Sequence, residues 1–224
     1  MLPAPLEGGR PGRSDPEEPV RPERRRDRRR LSRVARGDRE ALAALMCLHA
    51  ARLPSRVDEG GNLQALLRQD RSLWDRSLIA EGLGLLAESA AGDEVTAYHV
   101  EAAIAGVHAS AESAEKTPWG EIVALYDALL KLRPSPVVAL SRAIAIAHYA
   151  GPAQGLEAIR AIEDVRLLSS YPFYPAALGE LDLRAGDPRA ALQHLRAALA
   201  LARNDGERRF LEERIAACDA SRAD

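Results

Sequence analysis

Apolar residues recur along this chain with the spacing of an α-helix from about residue 40 onward. The segment at 38–52 places them on one helical face and ends before Pro54, which disfavours helix in the residue preceding it. The same periodicity predicts further helices at about 72–90, 94–110, 118–132, 136–149, 152–162, 172–185, 188–202 and 206–218. Aromatic residues are only 4% of the chain, and Ala and Leu supply most apolar side chains. This mixture suits helices better than sheets, so we predict an all-α fold.

Three helix starts carry the same local signal. Thr117, Ser135 and Asp187 each precede a proline. A side-chain acceptor then stands at the cap, and the proline takes the first helical position, where its missing N–H costs nothing. The links between these helices are short, which favours antiparallel helical hairpins.

One hairpin, at residues 174–202, matches the tetratricopeptide repeat pattern. The matching positions are Leu178–Gly179, the turn at Gly186–Asp187, and Ala191, Leu195 and Ala198. The unit departs from the pattern where Trp, Tyr and Pro are usual, which here are Pro175, Asp182 and Arg203. At Ala191, Leu195 and Ala198, small and large side chains must alternate if the two helices are to nest.

A looser unit precedes this hairpin, with Leu140 lying 38 residues before Leu178, a little over the usual period of about 34. We therefore predict antiparallel helical hairpins that form a tetratricopeptide-like right-handed solenoid. The predicted helical domain covers 39–220. Its first half, 39–112, lacks repeat signatures, and its second half, 113–220, carries them.

The stretch "RSLWDRSLIAEG", at 71–82, concentrates a Trp, charged residues and a Gly within about three helical turns. The spacing of Ser72 and Asp75 predicts a capping box, with a helix beginning near Ser72. A helical projection then places Trp74 on an apolar face, and Gly82 near the middle of that face would let another helix approach closely. We interpret the stretch as a helix start and docking surface.

Charge is concentrated near the amino terminus. The chain has a formal charge of −2, but residues 21–39 hold ten Arg against three acidic residues, which leaves −9 for the remainder. Residues 1–38 are rich in Arg and Pro and are predicted to be a disordered leader. An Arg run can also grip phosphates without sequence specificity. The candidates for such nucleic-acid contact are Arg24, Arg25, Arg26, Arg28, Arg29 and Arg30.

Catalytic and metal-binding signals are lacking in the sequence. It has no Gly-rich phosphate loop, no H-E-x-x-H motif and no nucleophile elbow. Cys47 and Cys218 have no metal-binding spacing, and no two of the five histidines pair convincingly. We expect a protein that is not an enzyme and needs no cofactor or metal. No apolar run reaches the roughly 18 residues of a membrane span, so a cytoplasmic location without membrane contact is the expectation.

Residues 41–218 resemble the carboxy-terminal extension of a group of extracytoplasmic-function RNA polymerase sigma factors. The resemblance is most specific at 69–83 and in "WGEIVALYDALLKLRPSPVVALSRAIAIA", at 119–147. In that group a two-domain sigma factor precedes a long helical, tetratricopeptide-like region. The promoter-reading domains have no counterpart in residues 1–40, so this chain by itself is not expected to bind DNA sequence-specifically.

Three interpretations follow from the resemblance. The first is a regulatory module that binds RNA polymerase core or a sigma factor and modulates transcription initiation. The second is a stand-alone tetratricopeptide-type adaptor with a peptide-binding concave face unrelated to transcription. The third is a truncated remnant of a full-length sigma factor. The candidate partner-contact residues are Trp74, Arg76, Glu81, Trp119, Tyr126 and Arg142.

Overall fold

The computed structural model describes residues 22–58, 60–91 and 94–220, with only the backbone for 22–35. This part of the chain is all-helical, as predicted, and its one extended pairing is an isolated bridge between Val57 and Leu63. The helices are α1 (Pro22–Ala50), α2 (Arg76–Ser89), α3 (Ala97–Ser110), α4 (Trp119–Leu132), α5 (Pro136–Tyr149), α6 (Pro152–Arg160), α7 (Phe173–Arg184), α8 (Pro188–Ala200) and α9 (Asp205–Ala220).

Helix α1 begins much earlier than the apolar pattern indicated. The backbone is helical from Pro22, within the 1–38 segment predicted to be a disordered leader. Composition favoured disorder because the segment offers little to a core, but Arg, Glu, Leu and Ala are all good helix formers. Pro22 also stands at the first helical position, where proline is best tolerated. Residues 1–21 of the predicted leader lie outside the described residues.

The capping box predicted for Ser72 and Asp75 is wrong. Asp75 is itself the N-cap of α2, because its carboxylate accepts hydrogen bonds from the backbone N–H groups of Ser77 and Leu78. Ser72 lies in a separate short 3-10 turn, which Asp70 caps in the same way. Two acidic residues five positions apart can each cap a turn, and the sequence alone did not show which one starts the long helix.

The helices pack in chain order around four successive apolar clusters. The first joins α1, α2 and α3 around Leu48, and the second joins α3, α4 and α5 around Ile122. The third joins α5, α6 and α7 around Ile159, and the fourth joins α7, α8 and α9 around Leu195. Helices α3, α5 and α7 therefore take part in two clusters each. The predicted boundary at 112/113 does not separate two cores, since the second cluster contains side chains from both sides of it.

Glycines set three of the closest helix contacts. A Cβ at Gly82 would lie 2.8 Å from Leu48 Cγ, so α1 and α2 meet at this glycine as the sequence predicted. A Cβ at Gly179 would lie 2.8 Å from Leu195 Cγ and 3.0 Å from the carbonyl oxygen of Ala191. The nesting of α7 and α8 predicted from the repeat pattern is therefore confirmed. Gly155 gives the same close approach between α6 and α5.

The two ends of the helical array also touch each other. The guanidinium of Arg209 on α9 donates a hydrogen bond to the carbonyl oxygen of Gly61, in the segment between α1 and α2. Gly206 packs against the Leu63 side chain of that segment. The segment 52–75 thus lies between α1, α3 and the carboxy-terminal helices, and this position brings the candidate site together.

Substituting Gly155 with Ala tests the tight contact of α5 and α6. A Cβ there would lie 3.0 Å from Ala147 Cα and 3.1 Å from the carbonyl oxygen of Ala143, so backbone must move. We expect urea denaturation to show a loss of about 1–3 kcal/mol in the free energy of unfolding. The control is Gly84→Ala in α2, where nothing lies within 4 Å of the added atom. That change should stabilise by about 0.5–1 kcal/mol, and equal effects of the two variants would contradict the packing.

Candidate functional site

Arg71 fixes the segment between α1 and α2 to the carboxy-terminal end of α3. Its Nη1 donates hydrogen bonds to the carbonyl oxygens of His108, at 2.7 Å, and Ala111, at 2.6 Å. Its Nη2 donates to Thr117 Oγ1 at 3.3 Å. Helix carboxy termini present unpaired carbonyl groups and partial negative charge, so they favour a cation. The Arg71 residue is only 9% exposed, and these bonds offset the cost of burying its charge.

Trp74 packs beside Arg71 and completes this attachment. Its ring is 2% exposed, and its Nε1 donates a hydrogen bond to Ser55 Oγ at 2.8 Å. The guanidinium carbon of Arg71 lies 4.9 Å from the ring centroid, and that of Arg52 lies 5.7 Å from it. A Trp face attracts cations at such distances. The backbone N–H of Asp75 donates to the carbonyl oxygen of Ala51, which ties the segment to the end of α1 as well.

The segment 52–75 forms one side of a cleft of about 410 Å³ among α1, α3, α4 and α5. Its lining is mixed, with apolar side chains between cationic, imidazole and hydroxyl groups. The lining residues are Leu45, His49, Arg52, Leu66, Glu101, Ile104, Ala105, His108, Tyr126, Leu129, Arg133, Val137, Val138 and Ser141. Arg133 and Glu101 form an ion pair within the cleft.

His108 is the most buried ionisable group in the cleft. Burial, followed by the positive charges of Arg52 and Arg71, lowers its pKa to about 4. The imidazole is therefore neutral at pH 7, and its Nδ1 has no hydrogen-bond partner among the described residues. This nitrogen is itself buried, and a buried polar atom without a partner costs free energy of folding. The His108 ring contacts Trp119 edge-on at 5.4 Å, and Trp119 stacks on His148 at 4.2 Å.

A second cavity, of about 290 Å³, adjoins the cleft. It lies where the segment between α1 and α2 meets the starts of α7 and α9, and Arg52 and Leu66 line both spaces. Most of its remaining lining is apolar. The other lining residues are Arg56, Leu63, Gln64, Ala65, Gln69, Pro172, Phe173, Ala176, Glu207, Phe210 and Leu211. Arg52 and Leu66 therefore stand between the two spaces, and the cleft and the cavity together are called the inner groove below.

Positive charge accumulates where the cleft joins the cavity. Burial lowers the pKa of Arg52, and the neighbouring guanidinium groups of Arg56 and Arg71 lower it further. The described contacts of Arg52 are to the Gln69 side chain, at 3.3 Å, and to the Trp74 ring. The carboxylate of Glu207 also lines the cavity, but it accepts the backbone N–H of Arg203. The junction is therefore rich in cationic groups that have neutral partners.

The six residues predicted to contact a partner lie in different parts of the structure. Tyr126 lines the cleft, and Trp119 packs against His108 at its edge. The prediction that Trp74 contacts a partner is wrong, because Trp74 is buried in the core, where its ring is packed and its N–H is hydrogen-bonded. Arg76 and Glu81 are exposed on α2, outside the inner groove. Arg142 pairs with Asp127 and lines a different depression, between α4, α5 and α6.

The six arginines proposed for nucleic-acid contact, Arg24, Arg25, Arg26, Arg28, Arg29 and Arg30, lie on the first three turns of α1. Their side chains are outside the described part of the structure. No helix in the described part of the chain has the length and apolar character to cross a bilayer. In the same part, no group of three or more His, Cys, Asp or Glu is placed to hold a metal ion.

Sequence reasoning missed the groove residues Arg52, Arg56, Arg71, His108 and Phe173. Arg71 stood in the stretch singled out above, but its partners are the backbone carbonyls of residues 37 and 40 positions away. Phe173 carried a weak signal, as an aromatic side chain near a predicted helix start in a chain with few aromatics. No sequence pattern indicated that Phe173 and Arg56 line the same cavity.

Replacing Arg71 with Ala removes the attachment of the segment to α3. Two carbonyl groups lose their charged donor, and we expect urea denaturation to show a loss of about 2–4 kcal/mol in the free energy of unfolding. The matched control is Arg68→Ala in the same segment, where the side chain is exposed. That change should remain within about 0.5 kcal/mol of wild type. Similar losses in both variants would show that Arg71 is not the attachment point.

The lowered pKa of His108 makes stability depend on pH. The unfolded chain protonates this imidazole near pH 6.5, whereas the folded chain does so only near pH 4. The contribution is therefore complete above about pH 6.5 and is lost as the pH falls toward 4. Between pH 7 and 5 the free energy of unfolding of the wild type should fall by about 2 kcal/mol more than that of His108→Gln. Equal pH dependence in the two proteins would contradict this assignment.

Comparison with known proteins gives two similarities. Residues 29–90 match a family of unknown function, DUF6596. An uncharacterized protein of Rhizobium meliloti (strain 1021) is 36% identical over 174 residues, which cover 78% of this chain and 41% of the relative. The chain thus spans less than half the length of this curated relative. No solved structure matches the chain significantly. The family match extends from α1 to the end of α2, and so includes the attached segment with Arg71 and Trp74.

Proposed function

We propose that this chain is a non-enzymatic protein-interaction module related to the carboxy-terminal extension of extracytoplasmic-function sigma factors. In this proposal the module binds RNA polymerase core or a sigma factor in the cytoplasm and regulates transcription initiation. The observation that carries the proposal is the inner groove, whose apolar and cationic lining residues come from both ends of the helical array. The polymerase or sigma factor as partner follows from the resemblance at 69–83 and 119–147.

The groove has the properties of a protein-binding surface rather than a catalytic site. Its lining combines apolar side chains with Arg, Tyr and His groups. Protein interfaces are enriched in aromatic residues and Arg. Among the described residues, the ring of His108 contacts Trp119 and makes no hydrogen bond to a nucleophilic side chain.

The packing of the helices supports a tetratricopeptide-like solenoid as the scaffold of this module. Each cluster joins consecutive helices, and α3, α5 and α7 are shared between neighbouring clusters. Repeat proteins are built in this way, since each unit contacts its neighbours and presents a concave surface. The links of two or three residues between α4 and α5, α5 and α6, and α7 and α8 fit helical hairpins.

A direct binding assay tests the proposal. Tagged chain, with the groove intact, should retain purified RNA polymerase core or an extracytoplasmic-function sigma factor at micromolar concentration. Val137→Arg places a bulky charge at the cleft lining, where the Val137 side chain is 41% exposed, and should weaken binding by roughly tenfold or more. Val95→Arg is the matched control, because Val95 is 65% exposed and lies outside the groove.

The outcomes separate the interpretations of the chain. Retention that Val137→Arg abolishes and Val95→Arg preserves supports the proposal. A failure to retain either polymerase core or the sigma factor contradicts it. If groove-dependent retention is then found for a protein unrelated to transcription, the stand-alone adaptor is the correct interpretation.

A further inference from the structure

The cavity between the 52–75 segment and helices α7 and α9 has room for one large apolar side chain. Its volume is about 290 Å³, whereas an apolar cavity of about 150 Å³ already accepts benzene. Leu63, Leu66, Phe173, Phe210 and Leu211 contribute to its walls. Phe173 is still 48% exposed there, so a large aromatic surface remains open to a ligand.

Two arginines are part of the lining of this cavity, and the Glu207 carboxylate in the same lining accepts the backbone N–H of Arg203. Arg52 and Arg56 both line the cavity, and no carboxylate among the described residues pairs with either one. The nearest charges that act on Arg52 are those of Arg56 and Arg71, which repel it. A carboxylate placed beside the two arginines would relieve this repulsion and would form charge-assisted hydrogen bonds to guanidinium groups.

The connection to the cleft distinguishes a peptide from a small molecule as the occupant. Arg52 and Leu66 line both spaces, so a chain anchored in the cavity can continue into the cleft. A small hydrophobic acid would fill the cavity and leave the cleft empty, whereas a linear peptide uses both.

We propose that the cavity receives one large apolar side chain of an acidic linear peptide segment in the partner protein, whose flanking carboxylates bind Arg52 and Arg56. This inference rests on the proposed function and specifies the chemistry of the segment that enters the groove. The apolar side chain provides the anchor, and the arginines select the charge beside it.

Fluorescence anisotropy with a defined peptide tests this inference on the full chain. The probe is a fluorescein-labelled Gly/Ser peptide of about twelve residues that carries a central Phe flanked by two Glu on each side. We expect saturable binding that weakens as salt rises, because exposed charges are screened. Replacing the Phe of the probe with Ala should weaken binding at least tenfold, as should replacing its Glu residues with Lys.

Protein variants place the binding in the cavity. Ala65→Trp fills the cavity from an exposed lining position and should abolish binding, whereas Ala153→Trp, exposed on α6, should not. Arg56→Ser should weaken binding about threefold to tenfold, while the exposed Arg160→Ser on α6 should leave it unchanged. Circular dichroism and urea denaturation of each variant identify any that fail to fold. If Ala65→Trp fails to fold, Arg56→Ser still tests the inference.

Several results would overturn the inference. The inference is wrong if the Phe/Glu peptide does not bind saturably. It is also wrong if binding does not depend on the Phe or on the sign of the peptide's charge, or if a folded Ala65→Trp variant still binds the peptide. Competition by phenylpropionate as efficient as that by the unlabelled peptide would identify a small-molecule site and would also overturn it. Polymerase or sigma-factor binding without peptide binding contradicts only this inference, whereas peptide binding without either partner contradicts only the proposed function.

Discussion

The buried guanidinium of Arg71 is the constraint on which the inner groove depends. It joins a segment that has little regular structure of its own to the carbonyl groups at the end of α3. A buried cation satisfied by backbone carbonyls has few alternative positions, because moving it would leave both the charge and the carbonyls unpaired. Trp74 and Asp75 then fix the same segment to Ser55 and to the end of α1. Both the cleft and the cavity have walls from this segment, so its attachment sets the shape of the groove.

Local signals predicted the helices well where they were strong. Helix α5 has the predicted bounds, 136–149, because Pro136 takes the first helical position and an apolar stripe continues to its end, although the Ser135 side chain makes no cap hydrogen bond. The start of α2 was misplaced because Asp70 and Asp75 cap two successive turns, and only the three-dimensional path of the chain shows which turn continues. The helical backbone from Pro22 was missed because a composition that argues against a core does not argue against a helix.

The groove was harder to predict than the helices, for a physical reason. A helical period reports which residues face a neighbour, so Tyr126 and Trp119 were recognised as candidates and lie in or beside the cleft. The cavity, in contrast, brings together residues 52–69 and 172–211, which are more than 100 positions apart. No periodicity links them, and the arginines in its lining look in the sequence like ordinary surface charges. Trp74 was overvalued as a contact because a conspicuous aromatic residue serves the core and a binding surface equally well.

Hydrogen–deuterium exchange on wild type and on Arg71→Ala tests most directly whether Arg71 organises the groove. If it does, the variant loses protection at the amides of 66–75 and 108–119, where the attached segment meets α3 and α4, while α5 to α8 exchange as in wild type. The contrary result would be unchanged protection of 66–75, or an equal loss of protection along the whole chain. Either would show that the segment is not held in place by the Arg71 guanidinium.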